Sequence, residues 1–152
     1  MHTRPYLWFL LIITLAAADL FIKWLLTQYL EPQTAYALIP HLNGLLTTNR
    51  GVAFGWFDNP NLHTALMAVT LTVICVILRF YLKYHQQFTR LQHWGYSLII
   101  AGAMANAFER VFNGQVTDYI DFYISTWHFA TFNLADSMIC CGVLLLIMSR
   151  SD

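Results

Sequence analysis

Asp118 and Asp136 stand in stretches too apolar to carry an idle charge. The first lies within Val116-Thr117-Asp118-Tyr119-Ile120-Asp121-Phe122. The second closes Phe132-Asn133-Leu134-Ala135-Asp136, at the mouth of the last hydrophobic run. Carboxylates at or near hydrocarbon are costly and mark a functional site by default. Two of them are also the smallest set that splits an amide bond with water. One takes a proton from the attacking water; its partner hydrogen-bonds the carbonyl and then assists the departing amine. Neighbouring carboxylates resist double ionisation, so such a pair holds one proton at neutral pH and titrates as a unit. The expected chemistry is amide hydrolysis.

Both assignments have competitors. Asp121 stands close to Asp118 in sequence, and spacing does not decide which of them reacts and which orients the backbone. Asp136 opens a helical run, where unpaired N–H groups favour negative charge by about 0.3–1 kcal/mol. A simple helix cap explains that position equally well. Asn133 is the alternative cap, which would release Asp136 for other work.

Further polar residues punctuate the apolar sequence. Asn49-Arg50-Gly51 precedes Val52-Ala53-Phe54-Gly55. The glycines permit tight turns, and the amide and guanidinium suit a substrate backbone, although an ordinary loop with a surface arginine accounts for the stretch alone. Asn106, Glu109 and Arg110 mark one face at the outer end of the third hydrophobic run. An asparagine there also serves as interhelical glue, and Glu109 with Arg110 as mutual neutralisation. Asp19 and Lys23, a helical turn apart in the first run, read as a structural ion pair. Cys75, Cys140 and Cys141 suit neither a disulfide nor a zinc site and read as small apolar packing residues. A His-Glu-x-x-His pattern is missing, so metal-dependent hydrolysis has no sequence support and no cofactor is expected.

These side chains must be positioned by very apolar elements. Of 152 residues 58% are hydrophobic and 11% charged, with mean hydropathy +0.52, which is too apolar for an ordinary soluble domain. Net charge is zero and the basic residues are scattered, so no nucleic-acid partner is expected. A single domain, residues 1–152, is predicted. Four runs approach the roughly 20 residues that a bilayer-spanning helix needs. They cover about 6–29, 62–84, 94–112 and 133–149. Arg4, Arg79, Lys83, Arg90 and Arg150 fall at the termini and the second connection, so both termini are predicted to be cytoplasmic. Loops 30–61 and 113–131 then lie outside, where most of the acids collect.

Arg4, the apolar run and Ala16-Ala17-Ala18 resemble a cleavable signal sequence, but the run continues through Trp24-Leu25-Leu26, as a retained helix would. Tyr36–Ile39 and Leu45–Thr48 are candidate strands, continued by Val52–Phe54, in a small sheet on the membrane surface. The segment 114–131 carries Tyr119, Phe122, Tyr123, Trp127 and Phe129, a composition that predicts an interfacial aromatic segment. The rival class is a small proton- or cation-coupled transporter, which tends to place its key acid near the bilayer midplane between repeated halves. Here the acids gather at one face and no repeat is visible.

In order along the chain, several pieces resemble the lipoprotein signal peptidase (signal peptidase II) family. They are Asp19 with Lys23, Asn49-Arg50-Gly51-Val52-Ala53-Phe54-Gly55, Gly102-Ala103 with Asn106 and Arg110, Gly114 with Val116, Asp118–Phe122, and Phe132–Asp136. The resemblance runs from residue 19 to 136. It implies an all-α membrane protein of four transmembrane helices with a small extracytoplasmic β-cradle and an interfacial segment. It further implies a multi-pass aspartic endopeptidase of the bacterial cytoplasmic membrane that needs no metal or cofactor. Such enzymes remove signal peptides from prolipoproteins on the N-terminal side of a diacylglyceryl-modified cysteine. Carried over, the dyad is Asp118 and Asp136, with Asp121 supporting. Asn49, Arg50, Gly51, Asn106, Arg110, Asn133, Asp19 and Lys23 fall on site-lining or supporting positions. Prolipoprotein substrates, membrane lipid and globomycin-type inhibitors are the implied partners. One chain holds every needed part, so a monomer is expected. Two positions depart from the family pattern: Ala105 where glycine is usual, and Glu109 where aspartate is usual.

Overall fold

The computed structural model describes residues 5–50 and 60–149. Helix α1 (Pro5–Tyr29) leads into strands β1 (Ala35–Ile39) and β2 (Leu42–Asn49). Helix α2 (Pro60–Tyr84) follows, then a short 3₁₀ turn at His85–Gln87, and α3 (Arg90–Asn113). Strands β3 (Val116–Ile124) and β4 (Trp127–His128) precede α4 (Leu134–Met148).

Helix α3 starts ahead of its apolar run because Thr89 caps it. The Thr89 hydroxyl accepts from Gln92 N at 3.3 Å, and the Gln92 side chain accepts from Thr89 N at 2.8 Å. Its far end stops at Gly114, whose φ of 70° suits the left-handed cap that glycine adopts most easily. Helix α3 is the central element, packed against α1, α2 and α4. At the end remote from Gly114, Tyr81 Oη meets His93 Nδ1 at 3.0 Å while Trp8 stacks on the His93 ring at 4.7 Å. That contact joins α1, α2 and α3.

Helices α3 and α4 approach closely through small residues. A Cβ at Gly102 would run into the Ala135 carbonyl oxygen, and one at Gly142 would sit 2.6 Å from Gly95 O. Ala105 is fully buried in the core shared by these helices.

The sheet is antiparallel, in the order β1-β2-β3-β4. The candidate strands at 36–39 and 45–48 fall within β1 and β2, whereas Val52–Phe54 and Gly51 lie outside the described residues. The aromatic segment has a secondary structure that its composition alone did not specify. Most of 114–131 is strand: β3 pairs with β2 through Asn43↔Asp121 and Thr47↔Asp118, and β4 folds back on β3. Its β-branched and aromatic residues are strand formers as well as headgroup anchors, and pairing with the distant β2 edge makes the segment a strand.

Burial is inverted. Lys23, Asp19, Asn133, Asp121 and His93 are among the largest fully enclosed side chains, while Leu10, Ile13, Phe21, Val76, Leu144 and Ile147 point outward. An apolar surrounding medium selects that arrangement. Two helical stretches among the described residues, Tyr6–Tyr29 and Met67–Gln87, are long and apolar enough to cross a membrane. Helix α4 is apolar but only 15 residues long, against the 133–149 expected. Helix α3 contains interior polar residues that lower its hydropathy.

Candidate active site

The two aspartates come from different elements and meet through one amide. Asp118 projects from β3, and Asp136 sits in the first turn of α4. Asn133 is the N-cap of α4. Its Oδ1 accepts from Asp136 N at 2.9 Å, and Asp136 Oδ2 accepts from Asn133 N at 3.2 Å. Asp136 is thus both a capping residue and a cavity residue. With Oδ1 committed, Asn133 Nδ2 turns to Asp118 Oδ1 at 2.7 Å. One asparagine thereby touches both acids.

Helix α3 supplies the second support. Asn106 Nδ2 donates to Asp136 Oδ1 at 2.8 Å, and Asn106 Oδ1 accepts from Lys23 Nζ at 2.8 Å. Lys23 is enclosed with Asp19 Oδ2 at 2.8 Å and Glu109 Oε2 at 2.9 Å. The expected Asp19–Lys23 pair is therefore one arm of a larger buried network. Asp19 Oδ1 also accepts from Ala135 N at 2.9 Å, tying α1 to the start of α4.

Asp118 is buried, and its carboxyl is pushed up to about 6. Burial is the main cause and the neighbouring Asp136 charge the second; hydrogen bonds from Asn133 and Asn49, and the Lys23 charge, oppose them. Burial and the Leu134 N–H facing its oxygen act oppositely on Tyr119, whose phenol ends up at about 12. Asp118, Asp136, Asn49, Asn106 and Arg110 line one cavity of about 590 Å³. Its remaining wall is largely apolar, from Val116, Phe129, Phe132 and Ile139 together with Cys140 and Cys141. The arrangement offers two carboxylates on one cavity, oriented amide donors and an apolar wall, which are parts suited to hydrolysing an amide near lipid.

The remaining candidate residues have these places. Asp121 does not share the Asn133 bridge: Asn43 Nδ2 donates to its Oδ2 at 2.9 Å, and His128 Nδ1 lies 2.8 Å from its Oδ1. It braces the sheet. Arg50 Nε donates to Gln115 Oε1 at 3.3 Å, joining β2 to the start of β3. Gly51 lies outside the described residues. The three cysteines are exposed, and Cys140 and Cys141 face the cavity as part of its apolar wall. Glu109 directs its oxygens to Lys23 and Thr117. Sequence reading missed Thr117, Asn43 and His128. A polar residue in an otherwise apolar strand was the available signal for the first two. Among the described residues no group of three or more His, Cys, Asp or Glu is arranged to hold a metal.

Residues 11–150 match the family model for signal peptidase (SPase) II. A lipoprotein signal peptidase of Francisella tularensis subsp. novicida (strain U112) is 37% identical over 147 residues, covering 95% of this chain and 91% of that protein. Another from Salmonella newport (strain SL254) is 38% identical over 142 residues, covering 93% and 86%. Among solved structures, one described as a bacterial membrane enzyme at 1.9 Å resolution superposes with a TM-score of 0.85 at 28% identity. It covers 100% of this chain and 98% of its own. A second, at 2.3 Å, gives 0.82 at 28% identity, covering 94% and 86%. A match that spans nearly the whole chain in both sequence and fold has one reading: the chain belongs to the signal peptidase II family.

Proposed function

We propose that the protein is an aspartic endopeptidase of the bacterial inner membrane that removes signal peptides from diacylglyceryl-modified prolipoproteins, cutting N-terminal to the lipidated cysteine. The observation that carries this reading is the Asn133 bridge, which contacts Asp118 and Asp136 in one cavity. In the proposed reaction the ionised member of the pair takes a proton from water as that water attacks the scissile carbonyl. The protonated member donates to the developing oxyanion, and the departing amine then takes up a proton. The raised Asp118 value, with the Asp136 charge as its second cause, supports an Asp118 that holds its proton to higher pH than an ordinary carboxyl does. Asn106 and Asn133 hold the carboxylates from outside the reaction. The apolar wall suits acyl chains that remain in lipid while the peptide bond reaches water.

The accompanying topology is a monomer with four membrane-crossing helices, both termini cytoplasmic and the dyad at the extracytoplasmic boundary. A short α4 is consistent with a site at that boundary rather than at the midplane. The test is processing of a lipidated prolipoprotein by purified protein. Asp118→Asn and Asp136→Asn should each lower the rate on the order of 10²–10⁴-fold while the thermal unfolding midpoint holds. Undiminished processing by either folded variant overturns the assignment.

A further inference from the structure

Glu109 takes no part in bond cleavage, yet the supports of both aspartates converge on it. It is buried, and its Oε2 accepts from Lys23 Nζ at 2.9 Å and from Thr117 N at 3.1 Å. Its Oε1 accepts from Thr117 Oγ1 at 2.8 Å. Thr117 immediately precedes Asp118, so these bonds pin the backbone from which Asp118 projects. The other branch runs through Lys23. An ammonium has three donors and no acceptor, and here they go to Asp19, Glu109 and Asn106. Facing a pure donor, Asn106 must offer its oxygen, which leaves its Nδ2 for Asp136 at 2.8 Å.

We propose that Glu109 is a positioning residue for the dyad, holding Asp118 through Thr117 and Asp136 through Lys23 and Asn106. The inference rests on the aspartic reading above. Without Glu109, Lys23 retains Asp19 as a counter-charge, so the interior still pairs its cation while both branches lose their common anchor.

The experiment compares Glu109→Gln, Glu109→Ala and Glu109→Asp in purified protein, with a diacylglyceryl-cysteine lipopeptide as substrate. Glutamine keeps the shape: its oxygen takes the Lys23 and Thr117 N–H contacts, and its amide donates to the Thr117 hydroxyl, so only the charge is lost. The alanine variant should lose kcat on the order of 10²-fold, as small displacements of reacting groups do, with KM little changed. Glu109→Gln should move the alkaline limb of kcat/KM to lower pH, because a negative charge has left the neighbourhood of the dyad. Glu109→Asp restores the charge and should return that limb toward its original position. Wild-type kcat in folded Glu109→Ala overturns the inference, as does a fall in unfolding midpoint with kcat unchanged. If the alanine variant fails to fold, Glu109→Asp decides, because it keeps the charge but draws the carboxylate back from Thr117: an unchanged kcat there overturns the inference. Asp118→Asn and Asp136→Asn run alongside. Activity in either refutes the dyad itself, whereas their inactivity beside unaffected Glu109 variants refutes only the role of Glu109.

Discussion

Asn133 engages each aspartate with a different end of its amide, and that polarity is imposed locally. Its oxygen is held by the Asp136 N–H, a bond that exists because α4 begins there. The nitrogen therefore has to face Asp118. Asn133→Ala removes both the cap, worth about 1 kcal/mol, and the bridge. A lower unfolding midpoint together with a loss of kcat larger than the midpoint shift explains is expected, measured by thermal melts and lipopeptide processing. The pH response follows from Asp118. Its value of about 6 in the folded chain lies above the ordinary 3.8, so folding favours the protonated form. The stability this lends is fully present below 3.8 and is lost as pH rises through about 6. In the proposed mechanism the pair needs one proton, so kcat/KM declines on the alkaline side of that ionisation. Asp136→Asn removes the second-largest cause but leaves the burial. The Asp118 carboxyl should then titrate below about 6 yet above 3.8, as read by carboxyl-carbon NMR. An unmoved titration would mean the two acids do not sense each other.

At the scale of elements, close contact of α3 with α4 sets where Asp136 sits. Gly102 lies against the Ala135 carbonyl, one residue before Asp136, so a methyl at that position must push the start of α4 away. Gly102→Ala is expected to lower the unfolding midpoint and also to reduce kcat on the order of 10²-fold, since misplacement of about 1 Å near reacting groups has that effect. Alanine at a merely permissive helical glycine would instead stabilise slightly, so the sign of the midpoint shift is diagnostic. Much of this was legible in advance. The helices follow from long apolar runs, and Asp118 and Asp136 stood out as carboxylates where charge is costly, although spacing alone did not separate Asp118 from Asp121. The strand at β3 was not, because its pairing with β2 joins residues such as Asn43 and Asp121 that are remote in sequence. Local composition suited an interfacial segment equally well. The brace of Asp121 by His128, and the convergence of Lys23, Glu109 and Thr117, were hidden for the same reason: each joins separate elements.

Across the whole molecule, the inverted burial constrains orientation as well as environment. Charged side chains fill the interior around Lys23, and apolar ones form the outer surface, so the helix bundle is stable where its exterior meets hydrocarbon. The sheet, Asp118 and Asp136 lie together at the end where α3 stops and α4 starts, and the His85–Gln87 turn lies at the other end. If the basic residues near that turn are cytoplasmic, as their distribution predicts, the cavity must open on the outer face. Single cysteines test this in a background with Cys75, Cys140 and Cys141 replaced by alanine. Ser125→Cys, in the turn between β3 and β4, should react with a membrane-impermeant maleimide in intact spheroplasts. Gln87→Cys should react only after permeabilisation. The opposite pattern would put the proposed dyad on the cytoplasmic side, where it could not serve exported precursors. Equal labelling at both positions before lysis would instead mean that α2 and α3 do not separate two compartments.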